Sequence, residues 1–143
     1  MFSESCKYAI KALVFIAKSN QEVKFLGGKE IALAIDAPPY FLASILQELS
    51  RKRIISSMRG PNGGFFMSEE QKNIPIIEIV RMIDGEKLFT DCILGLDFCG
   101  KVNPCPMHNQ YQEIREKIIA MLKNNTILDF NNMVLNNEAF LVK

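Results

Sequence analysis

Cys92, Cys99, Cys105 and His108 fall within seventeen residues of one another, spaced C-x6-C-x5-C-x2-H. Thiolates and an imidazole gathered in one loop can converge on iron or zinc, because both metals take sulfur and nitrogen donors. His108 is the one His of the chain, and the fourth Cys, Cys6, stands apart near the amino terminus. Cys6 reads as a small buried side chain on a helix, with an alternative ligand or redox partner as the sharper option. A Cys–His pair such as Cys105 and His108 can also activate a nucleophile. No orienting acid and no glycine-rich nucleotide loop before a helix accompanies it, so an enzyme is not expected.

The elements that must position this loop read from periodicity. Ser5 to Ser19 is expected as a helix, with Tyr8, Ala12, Leu13, Ile16 and Ala17 on one stripe and Lys7, Lys11 and Lys18 off it. Gly27-Gly28 ends the connection that follows, and a short helix runs from about Lys29 to Ile35. Asp36-Ala37-Pro38-Pro39 stops it and starts the next, since Pro disfavours helix before itself and suits a first turn. Pro39 to Lys52 is amphipathic, with Leu42, Ile45, Leu46 and Leu49 inward. Ile54 to Met58 and Phe65 to Ser68 read as strands around Arg59-Gly60-Pro61-Asn62-Gly63-Gly64, where Asn-Gly is the turn signal. Pro75 opens a helix to Ile83, stopped by Asp84-Gly85. Residues 86–107 look irregular, and His108 to Asn124 returns to helix with Tyr111, Ile114, Ile118, Met121 and Leu122 as an apolar seam. A partner subunit is the natural cover for that seam.

The fold class expected is mainly α with a small β-hairpin wing: a winged helix-turn-helix plus a long carboxy-terminal dimerisation helix. The organisation expected is a DNA-binding domain over 1–85, a cysteine-rich cofactor loop over 86–107, and a dimerisation helix and tail over 108–143. Such an architecture lays its second helix in the major groove of double-stranded DNA. Tyr40, Ala43, Ser44 and Gln47 would face the bases; Ser44 and Gln47 can hydrogen-bond base edges, and Ala43 suits a thymine methyl. Arg51, Lys52 and Arg53 suit phosphates. Arg59, with Gly60, Pro61 and Gly63 at the hairpin tip, suits a narrow minor groove.

Charge agrees with that division. The chain of 143 residues has net charge +1, but residues 1–60 hold nine Lys or Arg against five Asp or Glu, and the remainder eight against eleven. A basic first half facing a polyanion is one reading of this, and a solvated surface is the plainer one. Apolar residues at 48% and charged residues at 23% are ordinary for a globular protein and exclude disorder of the bulk. No apolar run approaches the roughly 18 residues of a membrane span, and Lys11 and Lys18 interrupt any signal-peptide pattern. A cytoplasmic location follows as the expectation, and with it a metal, cluster or redox role for the Cys residues rather than disulfides.

The stretches Tyr8-Ala9-Ile10-Lys11-Ala12-Leu13, Ile31-Ala32, Leu42 to Leu49 and Ile54 to Phe65 resemble the Rrf-two family of bacterial transcription regulators. The Ser-x-Arg-Gly-Pro-x-Gly-Gly wing, Ser57 to Gly64, is the most specific of them. The resemblance implies a homodimer joined by the long carboxy-terminal helix, a recognition helix at Pro39 to Lys52 and a wing that inserts Arg59. The cysteine loop resembles that of the IscR and NsrR types, with one extra residue between the first two Cys. By that resemblance Cys92, Cys99 and Cys105 are thiolate ligands and His108 completes a 2Fe–2S site. The IscR type has Glu and Gln where this chain has Ala43 and Ser44, a difference on the reading face itself. The NsrR type has an acidic ligand just before the first-helix Tyr, where this chain has Lys7, which favours the three-Cys, one-His site.

Zinc is the rival occupant, although structural zinc favours close C-x2-4-C pairs that this loop lacks. The function expected is a dimeric, sequence-specific regulator, a repressor type, that senses iron–sulfur or redox status. The alternative is a metal-free repressor controlled by a partner protein or by thiol oxidation, as CymR-type members imply.

Overall fold

The computed structural model describes residues 1–19 and 25–142, so part of the connection expected after the first helix lies outside the described residues. Helix α1 (Glu4–Ser19) lies at the centre of the core, and most of the longer helices pack on it. Ser3 caps it. Its Oγ accepts the Cys6 amide at 3.1 Å and donates to the Asp84 carboxylate, whose second oxygen accepts the Ser3 N–H at 2.9 Å. Ala9, Leu13, Ile16 and Ala17 are buried, while Lys7 and Lys18 stay exposed, as an amphipathic helix requires.

Helices α2 (Gly28–Ala34) and α3 (Pro39–Arg51) follow, joined by a turn in which Asp36 takes a left-handed φ of 53° and Ala37 N–H donates to Ala32 O at 2.9 Å. Leu42, Ile45, Leu46 and Leu49 of α3 are buried, as the stripe predicts. Helix α3 ends one residue before the expected Lys52. Arg53 adopts φ 61°, which lets Ile54 N–H reach back to Leu49 O at 2.9 Å.

Strands β1 (Ser56–Met58) and β2 (Gly64–Phe66) pair antiparallel, with Ser57 opposite Phe65. Both differ from their expected ranges. Ile54 and Ile55 are buried in the core instead of pairing. Ser68 leaves the ladder because it caps α4 (Glu69–Lys72), a one-turn helix closed by a reciprocal Ser68–Gln71 capping box. The hairpin turn also shifts by one residue. Gly63 N–H donates to Gly60 O at 3.0 Å, so the turn centres on Pro61-Asn62 rather than on Asn62-Gly63. Pro at the second position and Gly at the fourth are what such a turn favours. Leu26 and Phe65 exchange backbone hydrogen bonds at 2.9 and 2.8 Å, which pins the hairpin to the segment leading into α2. Gly64, at φ +139°, makes that approach possible: a Cβ there would lie 2.3 Å from Leu26 O.

Helix α5 (Ile76–Asp84) buries Ile76, Ile77, Ile79 and Val80 against α1. The stretch 86–107 is not wholly irregular. It opens with a single turn, α6 (Lys87–Thr90), that buries Phe89. Helix α7 (His108–Lys123) then packs on α5. Its expected seam divides. Leu122 is buried and Ile118 rests on the core, joined by Ile119 from outside that seam, whereas Ile114 and Met121 stand about half exposed. The chain's own domain therefore covers part of what a partner was expected to cover. Beyond α7 the expected tail folds as α8 (Ile127–Leu135), started by a Thr126–Asp129 capping box and laid along α1. Ile76 N–H donates to Asn125 O at 2.9 Å and Pro75 bridges Thr126, which fastens the start of α8 to the start of α5. No helix of the described residues is long and apolar enough to cross a membrane.

Candidate nucleic-acid interface and metal centre

The outward residues of α3 lie on one open face. Tyr40 is 95% exposed, and Ala43, Ser44 and Gln47 are exposed beside it. Ser44 Oγ donates to Phe41 O at 2.8 Å, so its lone pairs rather than its proton face outward partners. Tyr8 braces the helix from below, edge-on to Phe41 at 5.8 Å between ring centroids. An open groove beside these residues is also lined by Lys29 and Leu33 of α2. Leu33 is 86% exposed, and the sequence reading did not single it out. The signal was available, since Ile31, Ala32 and Ile35 define the inward stripe and Leu33 falls off it.

The basic residues divide. Arg51 is exposed, with only a 4.0 Å approach to Glu48. Lys52 is turned back onto the protein: its Nζ donates to Met82 O at 3.1 Å and lies 3.3 Å from Glu48. Arg53 is exposed, and its carbonyl accepts from Gln71 Nε2 at 3.1 Å. At the hairpin tip Arg59, Gly60 and Pro61 are exposed, while Gly63 is partly buried and lies so close to Met58 that an added Cβ would meet Met58 O at 2.1 Å.

The thiols of the loop converge. Cys92, Cys99 and Cys105 bring their sulfurs within 4.8 Å of one another, and the Cys92–Cys105 separation is 3.6 Å. His108 joins through Cys99, with Nδ1 3.2 Å from its sulfur, but does not lie equally close to all three. The Cys105 amide donates to Cys99 Sγ at 3.4 Å. The backbone amide of Leu96, aided by that of Leu94 and by the neighbouring thiols, outweighs desolvation and brings Cys92 down to about 7. For Cys99 the Cys105 amide lowers the pKa, yet burial and the two neighbouring thiols together win and raise it. Cys6 does not join this group and is fully buried. Desolvation, with the nearby Asp84 carboxylate, pushes it up to about 12, so it is an inert thiol.

The loop residues therefore form one group of three mutually close thiols, with His108 joined to it through Cys99. Two donors for each iron is what a two-iron cluster asks of its protein, and the soft thiolate set also suits zinc. The cavity among them measures about 30 Å³ and is also lined by Tyr111 and Arg115. Tyr111 was expected in the apolar seam and Arg115 was not singled out, so neither was placed at this site from sequence. They follow His108 by three and seven positions, the spacing that shares one helix face.

Comparison with known proteins adds the following. A family model described as "Rrf2: Iron-dependent Transcriptional regulator" matches residues 2–132. A putative HTH-type transcriptional regulator of Aquifex aeolicus is 30% identical over 135 residues, covering 93% of this chain and 92% of that protein. The HTH-type transcriptional regulator IscR of Serratia proteamaculans is 26% identical over 139 residues, covering 95% of this chain and 79% of that one. Among solved structures, CymR of B. subtilis shares the fold with a TM-score of 0.76 at 19% identity, covering 92% of this chain and 96% of that one. The IscR of T. potens does so at 0.74 and 18%, covering 98% and 92%.

Proposed function

Since the chain belongs to the Rrf2 family of transcriptional regulators, we propose that it is a cytoplasmic homodimeric repressor whose 86–107 loop holds a 2Fe–2S cluster and tunes operator binding. The observation that carries the cluster is the convergence of four donors of the right kinds, three thiols within 4.8 Å of one another and the His108 ring on Cys99. Bound there, the cluster would supply a charge and coordination state that changes with oxidation or iron supply. The chain's own residues do the rest. Cys92, low in pKa, enters as a thiolate near neutral pH. His108 is the first residue of α7, so whatever fixes its ring also fixes the start of that helix.

The half-exposed Ile114 and Met121 on α7 support pairing with a second copy. Pairing sets two α3 helices against successive major grooves, about 34 Å apart. Tyr40, Ala43, Ser44 and Gln47 read bases, Arg51 and Arg53 meet phosphates, and Arg59 enters the minor groove, with Gly60, Pro61 and Gly63 shaping its approach. Lys52 contributes its charge from a position tied to Met82 O. Loading can shift operator affinity only by binding one arrangement of the dimer better than another.

Zinc is the second reading, favoured by one observation: three sulfurs within 4.8 Å around a cavity of about 30 Å³ suit a single ion as they stand, whereas a larger two-iron core would need the donors to move apart. Anaerobic purification followed by iron, sulfide and zinc analysis separates the two. Equal iron and acid-labile sulfide with visible absorption supports the cluster; a colourless zinc protein supports the rival; neither metal leaves a thiol- or partner-controlled regulator. Gel-shift on the protein's own promoter, with and without the cofactor, tests the control of DNA binding. Sedimentation tests the dimer.

A further inference from the structure

Arg115 holds a position that the proposed chemistry has not used. It lies two turns into α7 from His108 and reaches back across the cysteine site. Its Nη1 donates to Thr90 O at 3.3 Å and its Nη2 donates to Asp91 O. Those are the two carbonyls immediately before Cys92. Its guanidinium carbon lies 4.9 Å over the Tyr111 ring, and the residue lines the same cavity as Cys92, Cys99, Cys105 and His108. Its Nε is buried with no acceptor, and among the described residues no carboxylate pairs with it.

A guanidinium keeps its charge at every physiological pH. Part-buried without an anion, it is costly, and so is an unmet N–H. The cost is relieved when an anion forms beside it. The thiolate site does that with either candidate occupant. Three thiolates outweigh by one charge both a zinc ion and an oxidised core of two irons and two sulfides. The loaded site is therefore net negative, and the unpaired cation already stands in its wall.

We propose that Arg115 is the positioning residue of the cysteine loop: its fork fixes the Thr90–Asp91 backbone that aims Cys92 at Cys105, and its charge balances the excess thiolate charge of the loaded site. This rests on the thiolate site proposed above. It also makes Arg115 a second tie between loop and helix beside the His108–Cys99 contact, joining α7 to the residues before Cys92.

The test uses the full chain, reduced and metal-free, titrated with Co2+ under anaerobic conditions and followed by thiolate-to-cobalt absorption. Arg115→Ala should weaken Co2+ binding by about ten- to hundredfold, the usual cost of losing a group that orients metal ligands. Arg115→Lys should recover part of that loss, because it keeps the charge and loses the two-carbonyl fork. Arg115→Gln, neutral and still helix-compatible, should behave like the Ala variant and replaces it if circular dichroism shows Arg115→Ala unfolded. Wild-type affinity in Arg115→Ala or Arg115→Gln overturns the inference. A Lys variant as weak as Gln overturns its charge-balancing half. If the wild type itself gives no thiolate–cobalt band, the thiolate site is wrong and the inference falls with it, an outcome distinct from the other two.

Discussion

The reading domain and the cysteine loop are built on opposite principles. In the first, α1, α3 and α5 bury Leu13, Ile16, Leu42, Leu46, Leu49, Ile79 and Val80 almost completely, and the side chains that would meet DNA stand outside that core. In the loop, only Cys105 and Phe89 are buried, while Ile93, Leu94, Phe98 and Val102 are exposed. The loop is held by amide-to-sulfur and arginine-to-carbonyl bonds. Apolar burial makes a shape that persists without a ligand. A loop held by a few polar bonds around soft donors takes its final shape with its ligand. The division teaches how the proposed regulator would keep its α3 face rigid while the loop adjusts to what it holds.

The contrast can be broken first at its thiols, where the effect is largest. In metal-free protein, iodoacetamide should modify Cys92 at a rate that rises as pH passes about 7, since the thiolate is the nucleophile and forms above the pKa. Cys6, pushed up to about 12, should remain unmodified across the same range until the protein unfolds. Mass spectrometry of the peptides reads both, and early labelling of Cys6 would refute the picture of a sealed core.

Next come paired substitutions. Cys92→Ala, Cys99→Ala and Cys105→Ala should each abolish metal-dependent changes in DNA binding and leave thermal unfolding of the reading domain nearly unchanged. Leu46→Ala should do the reverse, costing about 2–5 kcal/mol of stability through the cavity it leaves. Equal melting losses in both groups would show one cooperative unit instead of two differently built regions.

Arg59→Ala should weaken binding by about 1–3 kcal/mol at a site with an A·T-rich segment under the wing, and less at a G·C-substituted one, read by gel-shift. Binding of the dimer should also fall steeply with added salt, through counterion release. The smallest effect is at Arg53. Its left-handed φ of 61° suits glycine, so Arg53→Gly should raise stability by about 1 kcal/mol while weakening DNA binding slightly through lost charge.

Much of the reading domain was legible because its signals are local. Pro39 at a helix start, the stripe from Leu42 to Leu49 and a glycine-rich turn between apolar stretches each specify structure within a few residues. The family likeness rested on the same segments. The errors have physical causes. Capping boxes at Ser68–Gln71 and Thr126–Asp129 start helices that weak periodicity hid, and each could have been read as Ser or Thr three residues before Gln or Asp. The turn moved onto Pro61 because a fixed φ outweighed the Asn-Gly preference. For the candidate metal site, spacing pointed to Cys92, Cys99, Cys105 and His108 but gave neither the closeness of the three sulfurs nor the reach of Arg115 to the carbonyls before Cys92. Both depend on where α7 lies against the loop, a tertiary fact that no local pattern carries.

One feature of α7 has a mechanical reach. Near its carboxy-terminal end it is clamped, by Leu122 in the core and by Asn125 O on Ile76 N–H, while the other end starts at His108 in the loop. Sixteen residues of helix make a beam about 24 Å long, so a tilt of about five degrees at the clamp carries the far tip ~2 Å. Under the proposed function, a chain built this way would be free to trade one set of tip residues for another, and so its signal, without rebuilding the half that carries α3.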